Sequence, residues 1–593
     1  MAALFTTPKR NDTTAGTHVA EPDVRRRIGL AHGSWRRVTR RIVAGAVCAL
    51  TVSSLLMPSV SLAAEWVKVG GNKYNTAASD EAGTWSWDGA DDLKLNNYNG
   101  GEIQAAGKLN VNYSGTNIVT AEWIESIKVS HGTNENAELN IQGDEGGTLS
   151  VTSTEDAILS TGNINIDGAG SVNATSTGFD AINAGGDLAI KGSGNVNATG
   201  ASDGIRANGN ITIDDSGAVT ARATKDKGIG ADKNLTIKGG GTVEASSADG
   251  EALWSGGNIN ISDGSQVKAS SEKDAAVEAK GSLAVTNASL DASGVEYGVY
   301  AYKGVTLDHA TVMVRTSANG GQAIALITDG DDIVIKNGST VDAFAEGEVS
   351  AAFSTRNDRP NEKGGHIYIS DSVVKAIARY VENGDGPIPY SENQDGETRR
   401  EPQGENIGII AQTSEGVTPA VISIIRSKVT AEGDTAAIFA RAMSADGKTI
   451  GTIKIENAAI QTPEGGKVID YRKLRDGIYE AGQAIGTGHA TVDSLYIKAV
   501  AKSTTIAPPE VAKPEDPKPD ETKPAESKPA ESKQNPKPEG SKPTKAVAAS
   551  TTKAKTTGVL AATGDTSGAA IVATVLAGTA AIAAGTMASR KRS

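Results

Sequence analysis

An apolar position recurs through the middle of the chain as Ile158, Ile182, Ile205, Ile229, Leu253, Val277 and Val299, at intervals of 24, 23, 24, 24, 24 and 22 residues. A second column is a pair of apolar residues two apart: Ile164/Ile166, Leu188/Ile190, Ile211/Ile213, Leu235/Ile237, Ile259/Ile261, Leu283/Val285 and Val305/Leu307. A third runs Val172, Val196, Val219, Val243, Val267, Leu290 and Val312, with Ala two residues later in the first six. Spacing by two is the strand period. Each repeat therefore holds three very short strands between turns rich in Gly, Asp and Asn. One such unit cannot bury its apolar face alone, so neighbours must stack. Three strands per repeat, stacked in parallel at ~4.8 Å, make a parallel β-helix.

Short side chains support this all-β reading. Ser160, Ala184, Ala207, Ala231, Ser255, Ala279 and Ala301 lie two residues after the first column, where a narrow coil needs small inward groups. A further column, Asn163, Asp187, Asn210, Asn234 and Asn258, reads as structural, because Asn tolerates left-handed turns and its amides can stack from coil to coil. Composition agrees. Aromatics are 4% of the 593 residues, Gly numbers 69, and no Pro stands between Ala64 and Asn357, which suits continuous backbone ladders. The regular block spans 156–316. A looser pattern extends to both sides: Leu109/Val111, Leu139/Ile141 and Leu149/Val151 before it, within 64–155, and Ile333/Ile335, Ile367/Ile369, Ile422/Ile424, Ile453/Ile455 and Leu495/Ile497 after it, within 317–503. Arg356 to Gly365 and Arg379 to Asn406 read as loops thrown out from single coils. About 12 coils of about 23 residues are expected, a stack of roughly 55–60 Å. Trp66, Trp85, Trp87 and Tyr98 concentrate where the first coil needs a cap.

The flanks address the chain. Residues 1–63 carry an Arg-rich segment, an apolar run from Ile42 to Leu62, and Ser61-Leu62-Ala63, so a signal peptide cleaved after Ala63 is expected. It would remove Cys48, the single cysteine, leaving no disulfide and no thiolate metal site. Residues 504–559 are rich in Pro, Lys and Glu and read as an extended, wall-spanning linker. Residues 560–593 hold Leu560, Ala561, Ala562, Thr563 and Gly564, then an apolar span and Arg590-Lys591-Arg592. This tripartite ending resembles the LAxTG cell-wall sorting signal of Gram-positive, actinobacterial surface proteins. The resemblance implies that a sortase cuts after Thr563 and joins it covalently to peptidoglycan, with the membrane engaged only transiently during sorting. It places the protein on the outer surface of the cell.

The formal charge of -13 argues against a nucleic-acid-binding surface. His131, His309, His366 and His489 are scattered without metal-ligand spacing, and no motif singles out the paired carboxylates of a hydrolase. The block from Trp85 to Arg315, with Thr84-Trp85-Ser86-Trp87, Leu95-Asn96-Asn97-Tyr98 and coils of the form Ser202-Asp203-Gly204-Ile205-Arg206-Ala207-Asn208-Gly209-Asn210-Ile211, resembles the carbohydrate-binding domain family of right-handed, single-stranded parallel β-helices, relatives in shape of pectate lyases. The resemblance implies non-catalytic binding of polysaccharide or glycan, with calcium held by turn carboxylates.

The residues supply candidates for both. Asp156, Asp180, Asp203, Asp226, Asp249 and Asp274 lie two to four residues before the first column. Stacked near 5 Å apart, such carboxylates repel by about 1 kcal/mol in water and ~3 at an effective dielectric of 20, which a calcium ion would relieve. The opposing reading has each Asp capping its own turn. Trp254 and Tyr300 follow the first column by one, so they face outward two coils apart, close to the repeat of an extended β-linked disaccharide. Arg206, Glu278 and Tyr302 are the polar candidates beside them. Three functional classes stay open: a glycan-binding adhesin, a polysaccharide lyase or hydrolase on the same fold, and a purely structural or adhesive rod.

Overall fold

The computed structural model describes residues 63–509, apart from 134–136, 319–320, 358–363, 382–390, 393–397, 400–404, 415, 446, 476–477 and 489–499. The signal-peptide segment, nearly all of the linker, the sorting motif and the Leu495/Ile497 pair lie outside the described residues. Among those described there is no helix, and three long, mostly parallel sheets run through them, consistent with a parallel β-helix.

The columns set the register. In the first sheet Ile158 pairs with Ile182, Ile182 with Ile205, Ile205 with Ile229, Ile229 with Leu253, Leu253 with Val277 and Val277 with Val299. The second sheet aligns Ile164/Ile166 with Leu188/Ile190 and onward to Val305/Leu307. The third aligns Val172 with Val196 and onward to Val312. Along most of these strands burial alternates, as in Val196–Gly200. A one-residue slip would turn every Ile and Val outward, so the pattern holds the register firmly. Each of these buried side chains contributes roughly 1.5–3 kcal/mol by leaving water.

Ladders of polar side chains satisfy the turns. Asn163 Oδ1 accepts the Asp187 N–H at 2.9 Å, Asp187 Oδ1 the Asn210 N–H at 2.7 Å, and Asn234 Oδ1 the Asn258 N–H at 2.9 Å. The column is structural, but not because its residues are left-handed. The left-handed backbone sits one turn later, at Gly168, Gly192, Asp215, Gly239, Asp263, Asn287, His309 and Asn337. The inward serines that follow the first column are bonded too: Ser255 Oγ donates to the Lys233 carbonyl at 2.6 Å, and Ser160 Oγ accepts the Gly162 N–H at 3.2 Å.

Antiparallel strands close both ends of the stack. Trp66–Val69 runs antiparallel to Ile103–Ala106, and Trp85–Trp87 to Asp92–Asn96, with Trp85, Trp87 and Tyr98 buried as the cap requires. At the other end Ile478–Gly486 runs antiparallel to Ala436–Ser444. Ser503–Ala507 lies antiparallel to Lys428–Gly433, with Thr504 and Ile506 fully buried. The folded chain thus reaches Ala507, past the linker boundary expected at 504, because the Thr504/Ile506 alternation suits an inward-facing strand.

Candidate functional site

Parallel register turns spacing by one coil into a row on a surface. On the outward face of the first sheet, one row runs Leu159, Asn183, Arg206, Gly230, Trp254, Glu278, Tyr300 and Ile327. Leu159, Asn183, Arg206 and Trp254 keep part of their surface in solvent. Beyond Glu278 the row closes: Ile327, Ser354, Ile410 and Phe439 are all buried. A second apolar cluster, from Tyr300 to Tyr471, therefore lies outside the sheet, opposite the central core.

Charged and aromatic groups meet where the open part of the row ends. The Lys227 ammonium lies 5.2 Å from the centre of the Trp254 ring, within cation–π range. Glu278 is hydrogen-bonded to Glu251 of the preceding turn and ion-paired with Lys280, whose Nζ also donates to the Tyr302 hydroxyl at 2.8 Å. Burial, then the bond to Glu278, pushes the Glu251 carboxyl up. For Glu278 burial acts upward, but the bonds from Glu251, Lys280 and Tyr302 outweigh it and hold it down.

Tyr300 departs from its expected role. It is 9% exposed, with Tyr302 stacked on it at 4.5 Å and Tyr297 tilted against it at 4.9 Å. Its hydroxyl donates to Asp329 Oδ2 at 2.5 Å, and Arg356 clamps the same carboxylate at 2.8 and 2.9 Å. Burial first, then the bond to Asp329, pushes the Tyr300 phenol far up. This ring has no free face for a sugar; Trp254 and Tyr302 do retain exposed surface. Asp329, Arg356, Gln412 and Arg441 continue as a polar row, in which Arg441 bonds Gln412, Glu405 and Glu480.

The six aspartates divide. Asp180 N–H donates to Asp156 Oδ1 at 3.0 Å, Asp203 N–H to Asp180 Oδ1 at 2.9 Å, and Lys227 N–H to Asp203 Oδ1 at 2.6 Å. Asn183 Nδ2 donates to Oδ2 of both Asp156 and Asp180. Asp226 instead pairs with Lys227, Asp249 with Lys273, and Asp274 caps the Ala275 N–H. This donor set does not suit calcium, which takes six to eight oxygens. N–H groups already point at the three aligned carboxylates, and an amide NH2 would face the cation. Burial pushes all three carboxyls upward, Asp203 to about 6.

Glu251, Lys227 and Lys280 escaped the sequence reading. Lys280 was legible, since it follows Glu278 by two and so shares its face. Glu251 and Lys227 sit in turns, where no period points outward or inward. Of the histidines, His366 is buried and its Nδ1 accepts the Val421 N–H, while His309 pairs with Asp308. Comparison with protein-family models, with curated proteins and with solved structures returned no match for the chain.

Proposed function

We propose that the chain is a wall-anchored surface protein that holds polysaccharide or glycan without cleaving it, along the outward face of a right-handed β-helix of about 12 coils. The observation that carries the reading is the register of the first sheet, which sets Arg206, Trp254 and Glu278 in one row, with Tyr302 beside it. An aromatic face suits the apolar C–H face of a sugar ring, and the Arg, Glu and Tyr groups suit its edge hydroxyls. The closed row beyond Tyr300 limits the open stretch to the coils from Leu159 to Tyr302.

The carboxyl pair argues for binding over hydrolysis. Glu251 and Glu278 are in hydrogen-bond contact, whereas glycoside hydrolases separate their two carboxyl groups by roughly 5–9 Å. The test is a glycan array probed with the full-length chain and with Trp254→Ala. The variant should bind the cognate glycan weaker by about 1–2 kcal/mol with an unchanged melting temperature. Unchanged array binding by Trp254→Ala would remove the first sheet as the site, and release of unsaturated uronate products would replace binding by lyase activity.

A further inference from the structure

Two aromatic rings stand out of the molecule away from the row just described. Trp123 is 80% exposed and Phe179 is 52% exposed, the two most exposed large apolar side chains among the described residues. Both lie on turns that lead from the third sheet into the first. Thr116–Ala121 pairs with Thr148–Ser153, which pairs with Ser171–Ser176, so the turns that follow these strands stack as neighbours. Trp123 belongs to the first of these turns and Phe179 to the third. Two rungs separate them, about 10 Å along the stack.

The backbone holds both rings out. Trp123 has φ of 66°, a left-handed conformation that a bulky residue rarely adopts, and its N–H is fixed on Thr154 Oγ1 of the intervening turn at 2.9 Å. Phe179 is fixed by its N–H on Ser176 Oγ at 2.9 Å and by its carbonyl, which accepts the Ser202 N–H at 3.1 Å. Backbone strain that exposes a Trp, where burial would stabilise it, points to use of the ring. The turns that carry the rings are acidic at their surface: Glu122, Glu125 and Glu155 keep exposure to solvent there, against Lys128, which Glu125 already pairs at 2.7 Å.

We infer that Trp123 and Phe179 form a two-ring platform for an extended, uncharged β-linked polysaccharide lying along the stack. This rests on the glycan-binding reading above and adds to it a separate site and a ligand class. The spacing of two rungs, about 10 Å, matches two hexose units of an extended β-linked chain, so that every second sugar can present the same apolar face to a ring. The acidic fringe repels polyanions such as pectate and leaves neutral chains, whose hydroxyls it can accept.

The test is native affinity electrophoresis of the full-length chain in gels holding hydroxyethyl cellulose, glucomannan or xylan, with pectate as the charged control. At least one neutral gel should retard the protein, pectate should not, and Trp123→Ala and Phe179→Ala should each weaken retardation about tenfold. Both rings are exposed, so the variants should keep the melting temperature. No retardation on any neutral gel overturns the inference, whatever the glycan array reports for the first sheet. Retardation lost in Trp254→Ala but kept in the Trp123→Ala/Phe179→Ala double variant also overturns it, while upholding the first-sheet site. Self-association of the wild type that the double variant abolishes would reassign the ridge to a contact between copies, and overturn it as well.

Discussion

Asp203 is a carboxylate in a place where a neutral group would serve better. It is 1% exposed, and its Oδ1 accepts the Lys227 N–H at 2.6 Å, a bond that an Asn side chain could equally accept. Burial is the main cause that raises its ionisation from 3.8 to about 6, with repulsion from Asp180 and Asp226 adding to it. At 1.36 kcal/mol for each tenfold change in proton affinity, the ionised form costs about 3 kcal/mol. The folded protein binds the proton more tightly than the unfolded chain, so stability falls as pH rises from about 4 to about 6, and the full penalty is present at pH 7. Asp203→Asn removes the penalty; the contact of Oδ2 with Arg206 Nη1 at 3.4 Å is already part of that balance. The net gain at pH 7 is therefore about 3 kcal/mol. Thermal unfolding of the full-length chain and of the variant, followed by circular dichroism from pH 4 to 8, reads it as a higher midpoint for the variant at pH 7 that shrinks toward pH 4. A variant that melts lower at pH 7, or a difference that does not change between pH 4 and pH 6, would refute the reasoning.

Millimolar calcium or EDTA should leave the melting temperature unchanged, because the three aligned aspartates already receive N–H donors; a calcium-dependent rise would restore them as a metal site. Tyr300→Ala should destabilise by about 3–5 kcal/mol, through the lost ring packing and the lost hydroxyl bond to Asp329, measured by denaturant unfolding. Thr563→Ala should convert the protein from wall-bound to detergent-extractable, checked by fractionating cell walls.

The rungs were legible because parallel stacking writes one constraint many times over. Ile205, Ile229 and Leu253 face the same narrow interior, so the sequence must repeat the same choice at each coil, and the observed register follows it residue for residue. The left-handed turn was less legible because its occupants differ chemically: Gly192, Asp215 and His309 adopt it alike, so no column announces it. Outward packing was hidden for a different reason. Whether Tyr300 meets solvent depends on Tyr297 and Tyr302 beside it and on Asp329 in the following strand, and a period of two says only that it points away from the core. Trp123 likewise carries no periodic signal, since it occupies a turn whose length differs from that of the next coil.

The antiparallel strands at the two ends have a consequence for how such a molecule can change over generations. A bare parallel rung offers its edge to any other strand, including that of another copy, and edges of this kind nucleate fibres. Here Trp66–Val69 turns against the first rung of the first sheet and Ser503–Ala507 against the last parallel rung of the third, so those two edges carry strands of opposite direction. The interior rungs, in contrast, each meet only the rung before and the rung after. Duplicating or deleting a stretch such as 205–228 leaves both closures and every remaining neighbour pair of the same kind in place. Length is thus a quantity that can drift by whole rungs while the ends stay sealed, and the separation between two features on the surface can be retuned in steps of ~4.8 Å without redesigning either.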